Sequence, residues 1–178
     1  MLNELWDTSA EWVERSGNYK FTIDGASYFA KVSKDSEFFM DIFGGRNRHT
    51  GDGVVYSTFV AKLKSNGEYN AFDKRFFQAY EFAFGFDMER GKASTAFEIN
   101  RGDGGKKANV IKVLSTITNI FEHAVLSNGK PPVVFFSGEG KRIKVYDKLV
   151  KHLAKIVGYK YMITSTALFG NVYILYRL

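Results

Sequence analysis

Between residues 110 and 125 the apolar positions Val110, Val113, Leu114, Ile117, Ile120, Phe121, Ala124 and Val125 recur at intervals of three and four. That period lays one apolar stripe along an amphipathic helix. The helix has a hard stop: Asn128-Gly129 supplies a C-terminal cap, and Pro131-Pro132 forbid continuation. The next four residues, Val133 to Phe136, are apolar without alternation, as in a strand covered on both faces. A strand, a long helix and a second strand in sequence imply a mixed sheet with helices on its faces. Few other arrangements bury that stripe and that run together.

The flanking segments supply the rest of the sheet. Leu2, Leu5, Trp6, Trp12 and Val13 suggest a short N-terminal helix ending near Gly17. NYKFTID places Tyr19, Phe21 and Ile23 on one face, the period of a half-buried strand. Asp24-Gly25 then forms a tight turn into SYFAKVS. FFMDIFG, VVYSTFVAKL, YEFAFGF and TAFEIN also read as strands, with GGRNRHTGDG as a long glycine-rich loop. Tyr146, Leu149, Val150, Leu153 and Val157 form the core stripe of another helix that Gly158 ends, and YMITSTAL and NVYILYRL close the chain as a strand pair. The expectation is one α/β domain over residues 1–178: a mixed, mostly antiparallel sheet flanked by helices.

With 178 residues, 17 Phe and 10 Tyr, the chain can bury a sizeable core. The absence of Cys excludes a disulfide framework, thiolate zinc sites and a Cys nucleophile. His49, His123 and His152 show neither zinc nor triad spacing, so no metal site is expected. Glu4, Asp7 and Glu11 stand where a signal peptide would be basic and then apolar. No run is long enough to span a bilayer. The expectation is a cytoplasmic protein with no membrane partner.

Chemistry gathers at EINRGDGGKKANVIKVL, residues 98–114, where three glycines and two lysines precede the long helix. The Walker A pattern fails here: position 100 is Asn and position 107 is Lys. The dinucleotide pattern G-x-G-x-x-G fails as well, because Gly102-Asp103-Gly104 is followed by Lys107. A plain turn is one reading. An anion site is the other: glycines bring backbone N–H groups close to a ligand, and a helix start offers unpaired N–H groups and positive potential. Lys106 and Lys107 in a first turn oppose the helix dipole, a local conflict that a site for negative charge would explain.

Residues 95–178 resemble the GCN5-related N-acetyltransferase (GNAT) superfamily in their order of strand, glycine loop, long helix, strand, helix ending in Gly-aromatic, and two last strands. The family loop reads Gln/Arg-x-x-Gly-x-Gly/Ala. Arg101-Gly102-Asp103-Gly104-Gly105 fits its first elements, and Lys106 departs from the last. The resemblance implies a GNAT-like fold and acyl transfer from acetyl-CoA to an amine. It places the cofactor on Arg101, Gly102, Gly104, Gly105, Lys106 and Lys107. FSGEGKRIKVYDKLVKHLAKIVGY is also similar to small bacteriophage proteins with an FSxxExxRxxxY-like stretch. Tyr146 falls where many family members carry a Tyr that protonates the leaving thiolate; core packing is its other reading. Glu98 is the candidate base and Glu139 the runner-up, since acyl transfer needs a group to take the amine's proton.

From Lys141 to Lys160 there are seven Lys or Arg against one acidic residue, Asp147, so this segment alone carries charge equal to the chain's formal +6. Lys144, Lys148, Lys151 and Lys155 form one helical stripe, with His152 expected among them in solvent. Either this is a solvated face, or it binds a polyanion such as nucleic acid, or an acidic host protein. Arg46, Arg48 and His49 could extend it. A non-catalytic GNAT-like protein binding through this surface is therefore the alternative to an acyltransferase.

Overall fold

The computed structural model describes residues 9–34, 61–72, 79–86, 107–138, 143–166 and 170–178. Among them are the strands β1 (Trp12–Arg15), β2 (Asn18–Ile23), β3 (Ala26–Lys34), β4 (Ala79–Phe86), β5 (Val133–Gly138), β6 (Lys160–Thr166) and β7 (Gly170–Tyr176). The helices are α1 (Tyr69–Phe72), α2 (Lys107–Ser127) and α3 (Ile143–Val157), and residues 61–65 are also helical. The strands form one seven-stranded sheet in the order β1-β2-β3-β4-β5-β7-β6. β4 and β5 pair in parallel, while β1–β2, β2–β3, β5–β7 and β6–β7 are antiparallel. The fold is α/β with a mostly antiparallel, mixed sheet, and α2 lies in sequence between the two parallel strands as a crossover must.

The chain divides into two compact units, Met1–Val32 with Phe82–Gly129, and Ser33–Glu81 with Lys130–Leu178. In the first, β1, β2 and β3 are joined by two two-residue turns. Ser16 and Gly17 have φ of 52° and 80°, and Asp24 and Gly25 have 49° and 81°. Two consecutive positive φ values match the right-handed twist of the flanking strands. Gly17 has a second constraint. Its carbonyl accepts a 3.1 Å bond from Val32 N, and a Cβ there would stand 2.9 Å from the Val32 carbonyl oxygen.

Two expectations are overturned. Residues 12–15 are strand β1, not the end of a helix. Trp12 pairs in register with Phe21, and its ring lies 5.2 Å from that of Tyr19 and 4.8 Å from His123. The Ser16-Gly17 turn makes that pairing possible. The end of VVYSTFVAKL is helical over residues 61–65, not strand. Gly67 with φ 70° caps it, Glu68 N donating to Leu63 O and Gly67 N to Lys64 O, the bond pattern of a Schellman stop. Leu63 is fully buried while Lys62 and Lys64 are exposed. FFMDIFG, GGRNRHTGDG and TAFEIN lie outside the described residues.

Helix α2 is more deeply enclosed than one apolar stripe requires. Val113 through Thr118 are all buried, among them Ser115, Thr116 and Thr118. Thr116 Oγ1 donates to Lys112 O at 2.7 Å and accepts from Ala10 N at 2.8 Å. Phe121 meets Phe82 edge to face at 5.1 Å. In the second unit, β5 is buried from Val133 to Phe136 and β7 from Val172 to Tyr176, as expected for strands covered on both faces. Leu149, Val150, Leu153, Ala154 and Val157 form the buried stripe of α3. Gly158, at φ 74°, ends that helix, and Tyr159 N closes it on Ala154 O.

Candidate functional site

Helix α2 begins at Lys107, the residue after the glycine-rich sequence 101–106, and has no acidic residue in its first turn. No carboxylate of the helix's own first turn therefore competes with an anion for its leading N–H groups. Glu98, Arg101, Gly102, Gly104, Gly105, Lys106 and Glu139 lie outside the described residues, as do Arg46, Arg48 and His49. Lys107 is placed by its backbone alone.

Tyr146 is described in full, on the inner side of α3 and 3% exposed. Its ring meets Phe136 of β5 and Tyr173 of β7 edge to face, each at 6.0 Å. Phe136 and Tyr173 stack on each other at 4.9 Å. The cluster has a polar rim, since the Tyr173 hydroxyl donates to Asp147 Oδ1 at 3.0 Å. Burial, with help from the Asp147 carboxylate, pushes the Tyr173 phenol up to about 12, so it stays protonated across the physiological range. Sequence reasoning missed Tyr173 and Asp147. Their meeting depends on β7 lying between β5 and β6, which no local pattern announces.

The outer side of α3 differs. Lys148, Lys151 and Lys155 are exposed, and Lys144 lies on the helix with its side chain outside the described set. Lys155 falls in the last turn, where a cation complements the helix dipole. His152 does not stand in solvent as expected. It is half-buried at the edge of the stripe, and burial followed by the charge of Lys155 lowers its pKa. At neutral pH it therefore adds no positive charge to the lysines.

An ion pair between a buried carboxylate and a largely exposed lysine sits elsewhere in this unit. Glu68, 5% exposed, accepts a 2.8 Å bond from Lys160 Nζ. That bond holds the Glu68 carboxyl below its usual range against the opposing effect of burial, with further hydrogen bonds from Asn66 and Tyr176.

Among the described residues no three His, Cys, Asp or Glu side chains are grouped to hold a metal ion. No described helix is long and apolar enough to cross a membrane. No family model, curated protein or solved structure matches the chain.

Proposed function

We propose that the chain is an acyl-CoA-dependent N-acyltransferase acting on an unidentified amine, with a GNAT-like fold and a bacteriophage origin, working in the host cytoplasm. The observation that carries this reading is the parallel β4–β5 pair with α2 between its strands in sequence, the helix being preceded in the chain by the glycine-rich residues 101–106. In open α/β sheets, ligands bind beyond the carboxyl ends of such strands. The order after β5 also supports it: α3 ends at Gly158-Tyr159, and the β6–β7 pair follows. The α2 start, free of acidic residues in its first turn, suits the phosphates of acetyl-CoA. When bound, acetyl-CoA supplies the activated acyl group. Arg101, Gly102, Gly104, Gly105, Lys106 and Lys107 would hold its phosphates, Glu98 would take the proton of the amine, and the Tyr146 hydroxyl would be the proton donor to the thiol.

Thermal denaturation with acetyl-CoA tests this. Binding to the native state alone adds about 2.7 kcal/mol at a hundred times the dissociation constant, a rise in Tm of roughly 5–10 °C for a chain of this size. No shift at millimolar acetyl-CoA, with no calorimetric heat, removes the reading.

The exposure of Lys148, Lys151 and Lys155 favours a second reading. In it the chain is non-catalytic, and the Lys144–Lys155 face binds nucleic acid or an acidic host protein. Replacing Lys148 and Lys151 with Ala then weakens all nucleic-acid sequences alike and makes the salt dependence shallower by about two units on duplex DNA.

A further inference from the structure

The β1–β2–β3 sheet has two faces with different fates. Trp12, Tyr19, Phe21, Ile23, Tyr28 and Ala30 share one face, and His123 of α2 packs on Trp12 and Tyr19 there. The other face is largely exposed among the described residues. The registers fix its composition row by row. Val13 of β1 stands opposite Lys20 of β2, which stands opposite Phe29 of β3. In the next row Arg15 stands opposite Asn18, and Asn18 opposite Lys31. Thr22 and Ser27 make the third row. Val13 is 65% exposed, Arg15, Lys20 and Lys31 are exposed, and Phe29 is half-buried.

Among the described residues this face carries three cations, Arg15, Lys20 and Lys31, and no carboxylate within its strands. Glu14 belongs to the opposite face, where its Oε1 accepts from Gly17 N at 2.9 Å; Glu11 and Asp24 stand just outside the strands, at the row of Thr22 and Ser27 or in the turn. Like charges directly across a strand pair are destabilising, and here none are. Arg15 and Lys31 are each diagonal to Lys20, about 7–8 Å away, with Asn18 between them. Val13, Arg15, Asn18 and Lys20 also line a depression of about 270 Å³. Arg15 and Lys20 at this depression, Lys31 diagonal to Lys20 on the same face and the Phe29 ring in the row of Lys20 form the combination that holds single strands: the cations take successive phosphates and the ring takes a base.

We propose that this exposed face of β1–β2–β3 binds single-stranded nucleic acid, with Arg15, Lys20 and Lys31 on phosphates, Phe29 stacked on a base and Asn18 bonding a base or sugar edge. None of these residues belongs to the glycine-rich segment or to α3. It requires no sequence preference, because every base has a π-face.

The test is fluorescence anisotropy of a labelled oligothymidylate titrated with the full chain over a range of salt. Three phosphate contacts on a single strand give a log–log salt slope of about −2, from 0.7 per phosphate. The double variant Lys20→Gln, Lys31→Gln makes the slope shallower by about 1.4. Phe29→Ala weakens binding about five-fold to a hundred-fold without changing the slope. Phe29→Leu, which keeps side-chain bulk, gives the same direction if the Ala variant unfolds. Lys148→Gln with Lys151→Gln is titrated alongside, to assign any salt dependence to one basic face or the other. The proposal is overturned if about 100 μM protein fails to bind at ~50 mM salt. It is equally overturned if the Lys20/Lys31 variant behaves as the parent, or if the slope falls instead in the Lys148/Lys151 variant. Duplex DNA or polyglutamate competing as well as the oligothymidylate, with both Phe29 variants unaffected, also overturns it, in favour of a general polyanion surface.

Discussion

The β1–β2–β3 meander and the β5–β7–β6 group use strands in opposite ways. β2 alternates strictly, with Tyr19, Phe21 and Ile23 buried and Asn18, Lys20 and Thr22 exposed. β7 does not alternate: Val172, Tyr173, Ile174, Leu175 and Tyr176 are all buried. The meander therefore has one face for stability and one that is free to specialise. β7 has no such spare face, because each of its residues from 172 to 176 is committed to packing. Function that needs direct contact with a large ligand has room on the first arrangement and little on the second.

The largest test of that contrast is a matched pair of truncations. Ile174→Ala removes a fully buried side chain and is expected to cost about 2–5 kcal/mol. Thr22→Ala, on the exposed face, is expected to stay within about 0.5 kcal/mol. Urea midpoints at constant slope measure both. A comparable loss at Thr22 would mean the exposed face is packed after all.

Next in size is the Glu68–Lys160 pair in the β5–β7–β6 unit. Glu68 has a folded-state pKa below its ordinary value of 4.5, chiefly through the Lys160 bond. Its stabilisation is fully present above pH 4.5 and is lost as pH falls through the lower folded value. Glu68→Gln should lower stability at neutral pH by about 1–3 kcal/mol, the usual loss for a hydrogen bond to a charged group. It should also flatten the fall in stability below pH 4.5. Melting temperatures of both proteins from pH 7 to pH 3 check this, and parallel curves would contradict it.

A smaller effect distinguishes the two turns of the meander. Gly17→Ala meets both a left-handed backbone and the Val32 carbonyl at 2.9 Å, whereas Gly25→Ala meets only the backbone constraint. A left-handed alanine costs about 1–2 kcal/mol, so Gly25→Ala should lose that much and Gly17→Ala more. Equal midpoints would mean β3 gives way at Val32 without cost.

What the sequence revealed follows from the range of each signal. β2, β3, α2, α3 and the last three strands were legible because their periods or apolar runs are local. β1 was not, since Trp12 and Val13 are adjacent in a four-residue strand and show no period. Residues 61–65 were misread because Val60 and Leu63, with Lys62 and Lys64 on either side of Leu63, suit either period over so short a span. At the candidate site, the exposure of Lys148, Lys151 and Lys155 was readable from helical spacing. The partial burial of His152 was not, for it sits where the polar and apolar stripes meet. Tyr146 could be placed on the inner stripe, but its neighbours Phe136 and Tyr173 needed the order of strands. The row of Arg15, Asn18 and Lys31 needed the register of three strands, and no stretch of sequence contains it.

The two turns at Ser16-Gly17 and Asp24-Gly25 also bear on how the chain is made. They keep every pairing of the meander between residues 12 and 31, so its contacts are local and can form quickly. The ring of His123 that packs on Trp12 and Tyr19 lies about a hundred residues further on. At ribosomal speeds of about 5–20 residues per second, the apolar side of a finished meander waits some 5–20 s for α2 to emerge. During synthesis, the face that is most secure in the native protein is the one most in need of a chaperone.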